Sequence, residues 1–366
     1  MSNHSGSDWF PVLSSADGEV QGDGSKITRI LIAAVYSVVC ALGLVGNILV
    51  LYLLHSKYRK KRSPVNFFVI NLAVTDFQFV LTLPFWAVET ALDFSWPFGK
   101  VMCKIISSVT TMTMYCSVFF LTAMSVHRYS SVTCSLKMKS RGSSKWLTKL
   151  VSLVIWTFSL ILTLPHVVFS TTVVISEEEL CLVKFPDLQH IDPQVLLGVY
   201  QTQKVLFGFL IPLLIITISY MLLVRFVGNV NTCNKNPKRA SQVTKSVTIV
   251  VLSFFVCWLP NQSITAWGIF IKFNVVPFSE AYYIAQAYVF PLTVCLAHTN
   301  SCLNPVLYCL IRQEFRIALK HLLFRVTPSF RRLGPVLSNI APQKKDRSRV
   351  SIQMNNKTHL ESLGRG

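Results

Sequence analysis

The sequence has little charge for its length. Charged residues make up 14% of the 366 residues, whereas a typical soluble domain has ~25%. Acidic residues are especially few, 16 against 35 Lys and Arg, while 52% of the residues are hydrophobic and the mean hydropathy is +0.49. This composition argues against a soluble domain and indicates an integral membrane protein.

The sequence also lacks the marks of several functional classes. It has no nucleophile–base pair and no metal-ligand spacing, which argues against an enzyme. It has no internal repeats with interrupted helices in matching positions, which a transporter would be expected to have. Residues 1–26 lack the basic start and apolar run of a secretory signal peptide. This tail is rich in Ser, Gly and Asp and is predicted to be disordered.

What the sequence does contain is a series of seven apolar stretches of membrane-spanning length. A helix needs about 20 apolar residues to cross the hydrocarbon core, and backbone polar groups in lipid must be satisfied within the helix. The predicted spans, numbered one to seven, are residues 27–54, 64–92, 101–132, 146–169, 195–227, 243–270 and 281–310. A further segment, 312–325, is amphipathic and is predicted to lie on the membrane. Residues 326–366 are predicted to be a disordered cytoplasmic tail.

Basic residues are concentrated in alternate loops. They cluster at 57–62, 137–145 and 235–239 and throughout the C-terminal tail, whereas the acidic residues of the other loops include Asp93 and 177–179. Because positive residues mark the cytoplasmic side, the N-terminus is predicted to lie outside the cell, in a multi-pass protein of the plasma membrane. The net charge of +19 is then explained by loops that lie against anionic membrane lipid, and no nucleic-acid partner is expected.

Two of the ten cysteines are predicted to face the oxidising side. Cys103 lies at the start of span three and Cys181 in the loop after span four, and a disulfide between them would persist there. Two independent free thiols are the alternative. Asn3, in an Asn-His-Ser sequence on the same side, is a predicted glycosylation site.

Nearly every predicted span carries polar or proline residues that lipid alone would not tolerate. In chain order these are Gly46-Asn47, Asn71 to Asp76, His127-Arg128-Tyr129, Trp156, Pro212 with Tyr220, Cys257-Trp258-Leu259-Pro260, and Asn304-Pro305 with Tyr308. Taken together, these motifs resemble the rhodopsin-like (class A) family of G-protein-coupled receptors over about residues 27–325. The resemblance implies an all-α membrane protein, a seven-transmembrane helix bundle with a short cytoplasmic amphipathic helix.

The resemblance also implies roles for the buried polar residues. An allosteric sodium ion is implied at Asp76, Ser117, Asn300 and Asn304, because oxygen ligands suit a hard cation. The alternative is a protonated Asp76 that is hydrogen-bonded to its neighbours. No other cofactor is expected.

The cytoplasmic end carries the residues that the resemblance assigns to G-protein coupling: Arg128, Tyr129, Tyr220 and Tyr308. Expected partners are a heterotrimeric G protein and arrestin. The acid that usually precedes the arginine is missing, because His127 stands there, and the start of span six has no acid in Lys238-Arg239-Ala240-Ser241. Without these carboxylates the resting state is expected to be held less firmly.

Two further absences narrow the ligand. Span seven has no lysine that could form a Schiff base with retinal, although His298 stands near the expected depth. Span three has no carboxylate for an amine, since the chain there contains Val109-Thr110-Thr111. Photoreception and monoamine binding are therefore not expected.

The outer mouth is instead acidic and aromatic. Thr82-Leu83-Pro84 resembles the helix-two kink of peptide and chemokine receptors. Beyond it, residues Trp86, Glu89 and Asp93 have the spacing of one helix face. An acidic stripe beside an indole suits an arginine-bearing peptide; an ordinary solvated surface is the alternative. The predicted ligand-binding residues are Trp86, Glu89, Asp93, Glu178, Glu179, Lys204 and Trp258.

Several longer stretches are similar to the relaxin-3 receptor branch of the family. They are LPFWAVE at 83–89, STTV at 170–173, ELCLV at 179–183, KSVTIVVLSFF at 245–255, IKFN at 271–274 and VPFS at 276–279. This resemblance implies a two-chain, insulin-like peptide of the relaxin family as the ligand, coupling to inhibitory G proteins, and lowered cyclic AMP. A receptor for a linear peptide or chemokine, of the angiotensin or chemokine type, is the alternative.

Overall fold

The computed structural model describes residues 20–58, 64–134, 143–175, 177–186, 192–229 and 237–311, together with Arg316, Ile317 and Lys320. The predictions for Asn3 and for the tail 326–366 lie outside the described residues. The same is true of the segment 312–325, apart from those last three residues, which are helical.

The described elements are helices and one short β-hairpin. In chain order they are α1 (Val20–Tyr58), α2 (Pro64–Val80), α3 (Leu83–Ala91), α4 (Gly99–Cys134), α5 (Ser143–Phe169), β1 (Ser170–Ile175), β2 (Glu178–Val183), α6 (Pro193–Val205), α7 (Ile211–Asn229), α8 (Pro237–Lys272), α9 (Glu280–Ile284) and α10 (Phe290–Ile311). A π-helical turn joins α6 to α7 at Leu206–Leu210, and another joins α9 to α10 at Ala285–Val289.

All seven predicted spans are helical. Six helical segments among the described residues are long and apolar enough to cross a membrane. Span seven is made of α9, the π turn and α10, and it carries His298, Asn300 and Asn304 in its middle. One boundary prediction was wrong: α1 begins at Val20, so part of the predicted N-terminal tail is helical.

Span two is interrupted where the sequence predicts a kink. Helix α2 ends at Val80 and α3 begins at Leu83. Pro84 has no N–H to donate to the preceding turn, and the hydroxyl of Thr82 donates to the carbonyl of Phe79 at 2.7 Å. Span two therefore consists of two helices, α2 and α3, rather than one.

Helix α4 is the central element of the bundle and packs against α2, α5, α7 and α8, while α1 packs against α2, α3 and α10. The Gly46-Asn47 motif lies at the contact between α1 and α10. A Cβ added at Gly46 would lie 2.8 Å from Cβ of Pro305, so α1 and α10 approach too closely there for any larger residue. Next to it, Asn47 Nδ2 donates to the carbonyl of Ser301 at 3.1 Å.

The hairpin closes over one end of the bundle, which is called the hairpin end below. Strands β1 and β2 are antiparallel, with Thr172 opposite Cys181. Cys181 forms a disulfide with Cys103, whose Cα is 5.6 Å away, at the start of α4. The predicted pairing is confirmed. Trp96, in the loop before α4, also donates its backbone N–H to the carbonyl of Glu179 at 2.6 Å, which fixes the loop against β2.

Candidate functional site

Two neighbouring cavities lie in the half of the bundle nearest the hairpin. The larger is about 300 Å³ and the smaller, deeper one about 180 Å³. They share a wall, because both are lined by Thr110, Thr111, Lys204, Phe290, Val294 and His298. Trp258 lines the deeper part, where its ring stacks on Phe254 with centroids 5.8 Å apart. The combined space is large enough for several side chains of a ligand.

The larger cavity presents charges of opposite sign that are not paired with each other. Glu89 of α3 and Lys204 of α6 both line it. Lys204 Nζ lies 5.9 Å from the ring centroid of Tyr200. In the described part of the chain, no carboxylate forms a salt bridge with Lys204, and no group donates a hydrogen bond to the side-chain carboxylate of Glu89. A partly buried charge without a partner is costly, so both groups are suited to a ligand that brings the opposite charges.

Trp86 is held at the wall of the cavity by a chain of hydrogen bonds. Its indole Nε1 donates to Oγ1 of Thr110 at 3.1 Å, and the Thr110 hydroxyl donates to Oγ1 of Thr82 at 3.3 Å. The fully buried Trp96 packs beside it, with ring centroids 5.6 Å apart. No pattern along the chain predicts the hydrogen bond between Trp86 and Thr110, because it joins α3 to α4 across 24 residues.

Two buried histidines line the cavity and were not among the predicted site residues. The ring of His298 lies between Tyr36 and Phe79, at centroid distances of 5.4 Å and 5.0 Å. His166, near the end of α5, has Nδ1 3.2 Å from the hydroxyl of Ser170. The only signal for them in the sequence is that each is a polar residue within an apolar span. That signal does not indicate which face of the helix the residue occupies.

The predicted stripe of Trp86, Glu89 and Asp93 was wrong at Asp93. Helix α3 ends at Ala91, and Asp93 and Phe94 both have left-handed backbone angles, with φ of 59° and 66°. The carboxylate of Asp93 therefore leaves the helix face and lies 2.6 Å from Nη1 of Arg29 in α1. Phe94 lines the larger cavity, whereas Asp93 does not.

The hairpin acids also lie outside the lining of the cavities. Glu178 is exposed on β2, and Glu179 is half-buried next to it. The structure therefore brings together Trp86, Glu89, Lys204 and Trp258 of the predicted ligand-binding residues. It leaves Asp93, Glu178 and Glu179 nearer the surface.

Comparison with known proteins identifies the fold family. A family model described as 7 transmembrane receptor (rhodopsin family) matches residues 46–308, most of the chain. The chain belongs to the rhodopsin family of seven-transmembrane receptors. The family is one of membrane receptors rather than enzymes, and the predicted seven-helix fold is confirmed.

Several individual receptors are similar to this family member over most of its length. Relaxin-3 receptor 1 of Homo sapiens is 54% identical over 359 residues, which cover 90% of this chain and 76% of that receptor. Relaxin-3 receptor 2 of Homo sapiens is 42% identical, over 80% of this chain and 75% of that receptor. Type-1 angiotensin II receptor of Bos taurus is 31% identical, over 95% and 94%. The resemblance to the relaxin-3 receptor branch is confirmed.

The four residues of the predicted sodium site, Asp76, Ser117, Asn300 and Asn304, are called the polar cage here. In this rhodopsin-family receptor the cage is partly closed by hydrogen bonds of its own side chains. Asn304 Nδ2 donates to Oδ2 of Asp76 at 2.7 Å, whereas the hydroxyl of Ser117 is 3.0 Å from that of Thr75 rather than on the carboxylate. Asn300 is buried with the other three. Among the described residues, Asp76 Oδ1 and Asn304 Oδ1 are buried without a hydrogen-bond partner. These oxygens fit a hard cation such as sodium.

The residues predicted for G-protein coupling lie towards the other end of the bundle. Arg128 follows Cys103 by about seven turns of α4, which is ~38 Å at 1.5 Å per residue. Arg128 and Tyr129 are half-buried, as is Tyr220 of α7, and Tyr308 of α10 is buried. His127 packs its ring edge-on to Phe68 at a centroid distance of 6.4 Å.

Proposed function

We propose that this chain is a cell-surface receptor for relaxin-3 or another two-chain, insulin-like peptide of the relaxin family. The proposal is supported by the 54% identity to Relaxin-3 receptor 1 and the 42% identity to Relaxin-3 receptor 2. It is also supported by the chemistry of the cavity, which suits a peptide that carries both a basic side chain and a carboxylate.

The observation that carries the proposal is the separation of Glu89 and Lys204 within one cavity. A carboxylate binds a guanidinium through charge-assisted hydrogen bonds, and the adjacent Trp86 offers an aromatic face for the same cation. Lys204 offers a positive charge to a ligand carboxylate. An amine or a fatty acid would neutralise only one of the two residues and leave the other buried and unpaired, which is unfavourable.

A second candidate is a receptor for a linear peptide. It is favoured by the 31% identity to Type-1 angiotensin II receptor across 95% of this chain. Labelled relaxin-3 binding to cells that express the chain separates the two. We expect specific binding that unlabelled relaxin-3 displaces and that angiotensin II and a chemokine do not. Binding of a linear peptide without binding of relaxin-3 would replace the proposal with the alternative.

We further propose that the N-terminus is extracellular and that the receptor couples to inhibitory G proteins. The basic loops support the orientation, and the relaxin-3 receptor resemblance supports the coupling. Relaxin-3 is then expected to lower forskolin-stimulated cyclic AMP, and pertussis toxin is expected to abolish that effect. An N-terminal epitope tag should be accessible to antibody on intact cells. A rise in cyclic AMP would contradict the coupling without affecting the ligand assignment.

The position of Trp86 gives a prediction about ligand affinity. Thr110→Val keeps the shape of the side chain but removes the acceptor of the indole hydrogen bond. A neutral hydrogen bond contributes ~0.5–1.5 kcal/mol, so relaxin-3 affinity is expected to fall roughly two- to ten-fold. The matched control is Thr122→Val, also on α4, because the Thr122 hydroxyl donates only to the carbonyl of Val118 in its own helix.

A double variant makes this test specific. Trp86→Phe and Thr110→Val both remove the same hydrogen bond, so their combined loss of affinity should be smaller than the sum of the single losses. Additive losses would show that the two residues act separately. Thr122→Val is expected to bind relaxin-3 like the parent receptor.

The cage around Asp76 gives a prediction about sodium. We propose that Asp76 and Asn304, with Ser117 and Asn300 nearby, hold a sodium ion that favours the resting state. Sodium should then weaken agonist binding by linkage, roughly five-fold. Asp76→Asn is expected to remove the sodium dependence, measured as relaxin-3 affinity in NaCl against the same concentration of choline chloride. An unchanged sodium effect in the variant would show that the ion acts elsewhere.

A further inference from the structure

The ion pair between Arg29 and Asp93 lies at the rim of the larger cavity. Arg29 is on the same face of α1 as Ile32 and Tyr36, three and seven residues later, and both of those residues line the cavity together with Glu89. Nη1 of Arg29 is 2.6 Å from Oδ1 of Asp93, and the Asp93 side chain remains 65% exposed. The cation therefore reaches Asp93 from within the receptor, while the carboxylate stays open to the outside.

The helices do not depend on this ion pair for their contact. Below it, Ile32 and Tyr36 of α1 form one buried apolar cluster with Leu83 and Ala87 of α3. The position of Asp93 is also fixed by the backbone, because Phe94 donates its N–H to the carbonyl of Glu89 at 2.8 Å in the turn that ends the helix. An exposed ion pair adds little to stability. The turn and the packing therefore hold α1 and α3 in place.

The group that Arg29 brings to Asp93 is the same group that the ligand is proposed to bring. A guanidinium offers a planar fork of N–H donors that matches a carboxylate. Arg29 already occupies Oδ1, so a ligand arginine that binds both carboxylate oxygens of Asp93 must displace it. The net gain of that ligand contact is then the difference between two similar ion pairs. Glu89 has no such occupant among the described residues.

We propose that Arg29 is an internal competitor for the ligand at Asp93, and that it lowers the contribution of this carboxylate to the recognition of a basic peptide. The inference rests on the proposed function, since it requires a ligand that presents arginine to the outer mouth. If it holds, Glu89 is the main binding site for a ligand cation, and the affinity of Asp93 for such a cation depends on Arg29.

The test is a double-mutant cycle on the full-length receptor in cell membranes. Labelled relaxin-3 is bound to the parent, Arg29→Gln, Asp93→Asn and the double variant. Arg29→Gln is expected to bind relaxin-3 two- to five-fold more tightly, the range of an exposed ion pair. Asp93→Asn should cost more affinity in the Arg29→Gln background than in the parent, because only there is the carboxylate fully available.

Two controls separate competition from a general effect of charge. Lys26→Gln removes one positive charge from an exposed position one turn before Arg29 on α1, and it should leave the affinity unchanged. Relaxin-3 variants in which each B-chain arginine is replaced in turn by neutral citrulline should include one that gains nothing from Arg29→Gln. An equal gain in Lys26→Gln, or a gain that persists when Asp93 is also changed, would overturn the proposal.

The remaining outcomes are also decisive. Weaker or unchanged binding in Arg29→Gln would overturn the competition while leaving the ligand assignment intact. Arg29→Lys, which keeps the charge but loses the fork, should give a smaller gain than Arg29→Gln. Failure of both variants to reach the cell surface would mean that Arg29 is needed for folding and would also overturn it. Relaxin-3 that does not bind the parent receptor would instead overturn the proposed function.

Discussion

Glu89→Gln is expected to lower the affinity for relaxin-3 by about 30-fold or more, the largest loss at any outer acidic residue. The carboxylate is half-buried and lines the larger cavity, and no group in the described part of the chain donates a hydrogen bond to it. Removing one partner of a desolvated charge pair costs ~2–5 kcal/mol, and ~2 kcal/mol corresponds to roughly 30-fold. Saturation binding on membranes measures the change, with surface expression determined in parallel.

Glu178→Gln is the matched control for this prediction. It removes the same charge from an exposed position on β2 that lies outside the cavity lining, and an exposed pair is expected to change affinity by about five-fold at most. Charge reversal gives a second check, because Glu89→Arg should lose relaxin-3 and a peptide with one arginine changed to glutamate should partly recover binding. Unchanged relaxin-3 affinity in Glu89→Gln would show that the acidic residues of the outer mouth are only solvated surface.

Arg128→Ala is expected to abolish G-protein activation while relaxin-3 still binds at the cell surface. Arg128 is half-buried near the end of α4, ~38 Å from the disulfide at the hairpin end. The substitution is therefore too far from the cavity to remove a ligand contact. A charged side chain near the end of a membrane helix is placed where it can contact a partner at the surface, and a functional role is the default hypothesis for it. Binding and nucleotide exchange, measured on the same membranes, test the separation of the two effects.

Arg225→Ala provides the matched control for Arg128→Ala. Arg225 is exposed on α7, so its loss removes one basic charge from another helix of the bundle and should leave signalling intact. Full activation in Arg128→Ala would contradict the prediction. His127 replaces the usual acid and packs on Phe68, so cells that express the receptor should also show ligand-free activity above that of untransfected cells.

The polar motifs that sequence analysis singled out make contacts between helices of the bundle. Asn47 reaches across to the backbone of α10, and Asn304 donates to Asp76. The indole of Trp156 donates to Oδ1 of Asn71 at 3.1 Å, which joins α5 to α2. Such residues are predictable because lipid offers no hydrogen bonds, so a polar group within a span must find a partner inside the bundle.

The ends of the helices were less predictable than their centres. The stripe of Trp86, Glu89 and Asp93 assumed that the helix continues through Asp93, whereas α3 ends at Ala91 and the next residues turn through left-handed backbone angles. No glycine marks this turn. The residue that binds Asp93 is 64 positions earlier in the chain, and sequence spacing gives no information about such a pair.

The sequence by itself predicted the seven spans and, through its motifs, the family, because long apolar runs with polar interruptions follow from the physics of the lipid core. The structure decided between a disulfide and two free thiols at Cys103 and Cys181. The tertiary structure alone decided which charges share the cavity. Glu89 and Lys204 come from α3 and α6, and Trp86 is held by Thr110 of α4. These arrangements of side chains from different helices depend on the rotation of each helix about its axis and on the break in span two. These are set by side-chain packing between helices, which the pattern along one chain does not record.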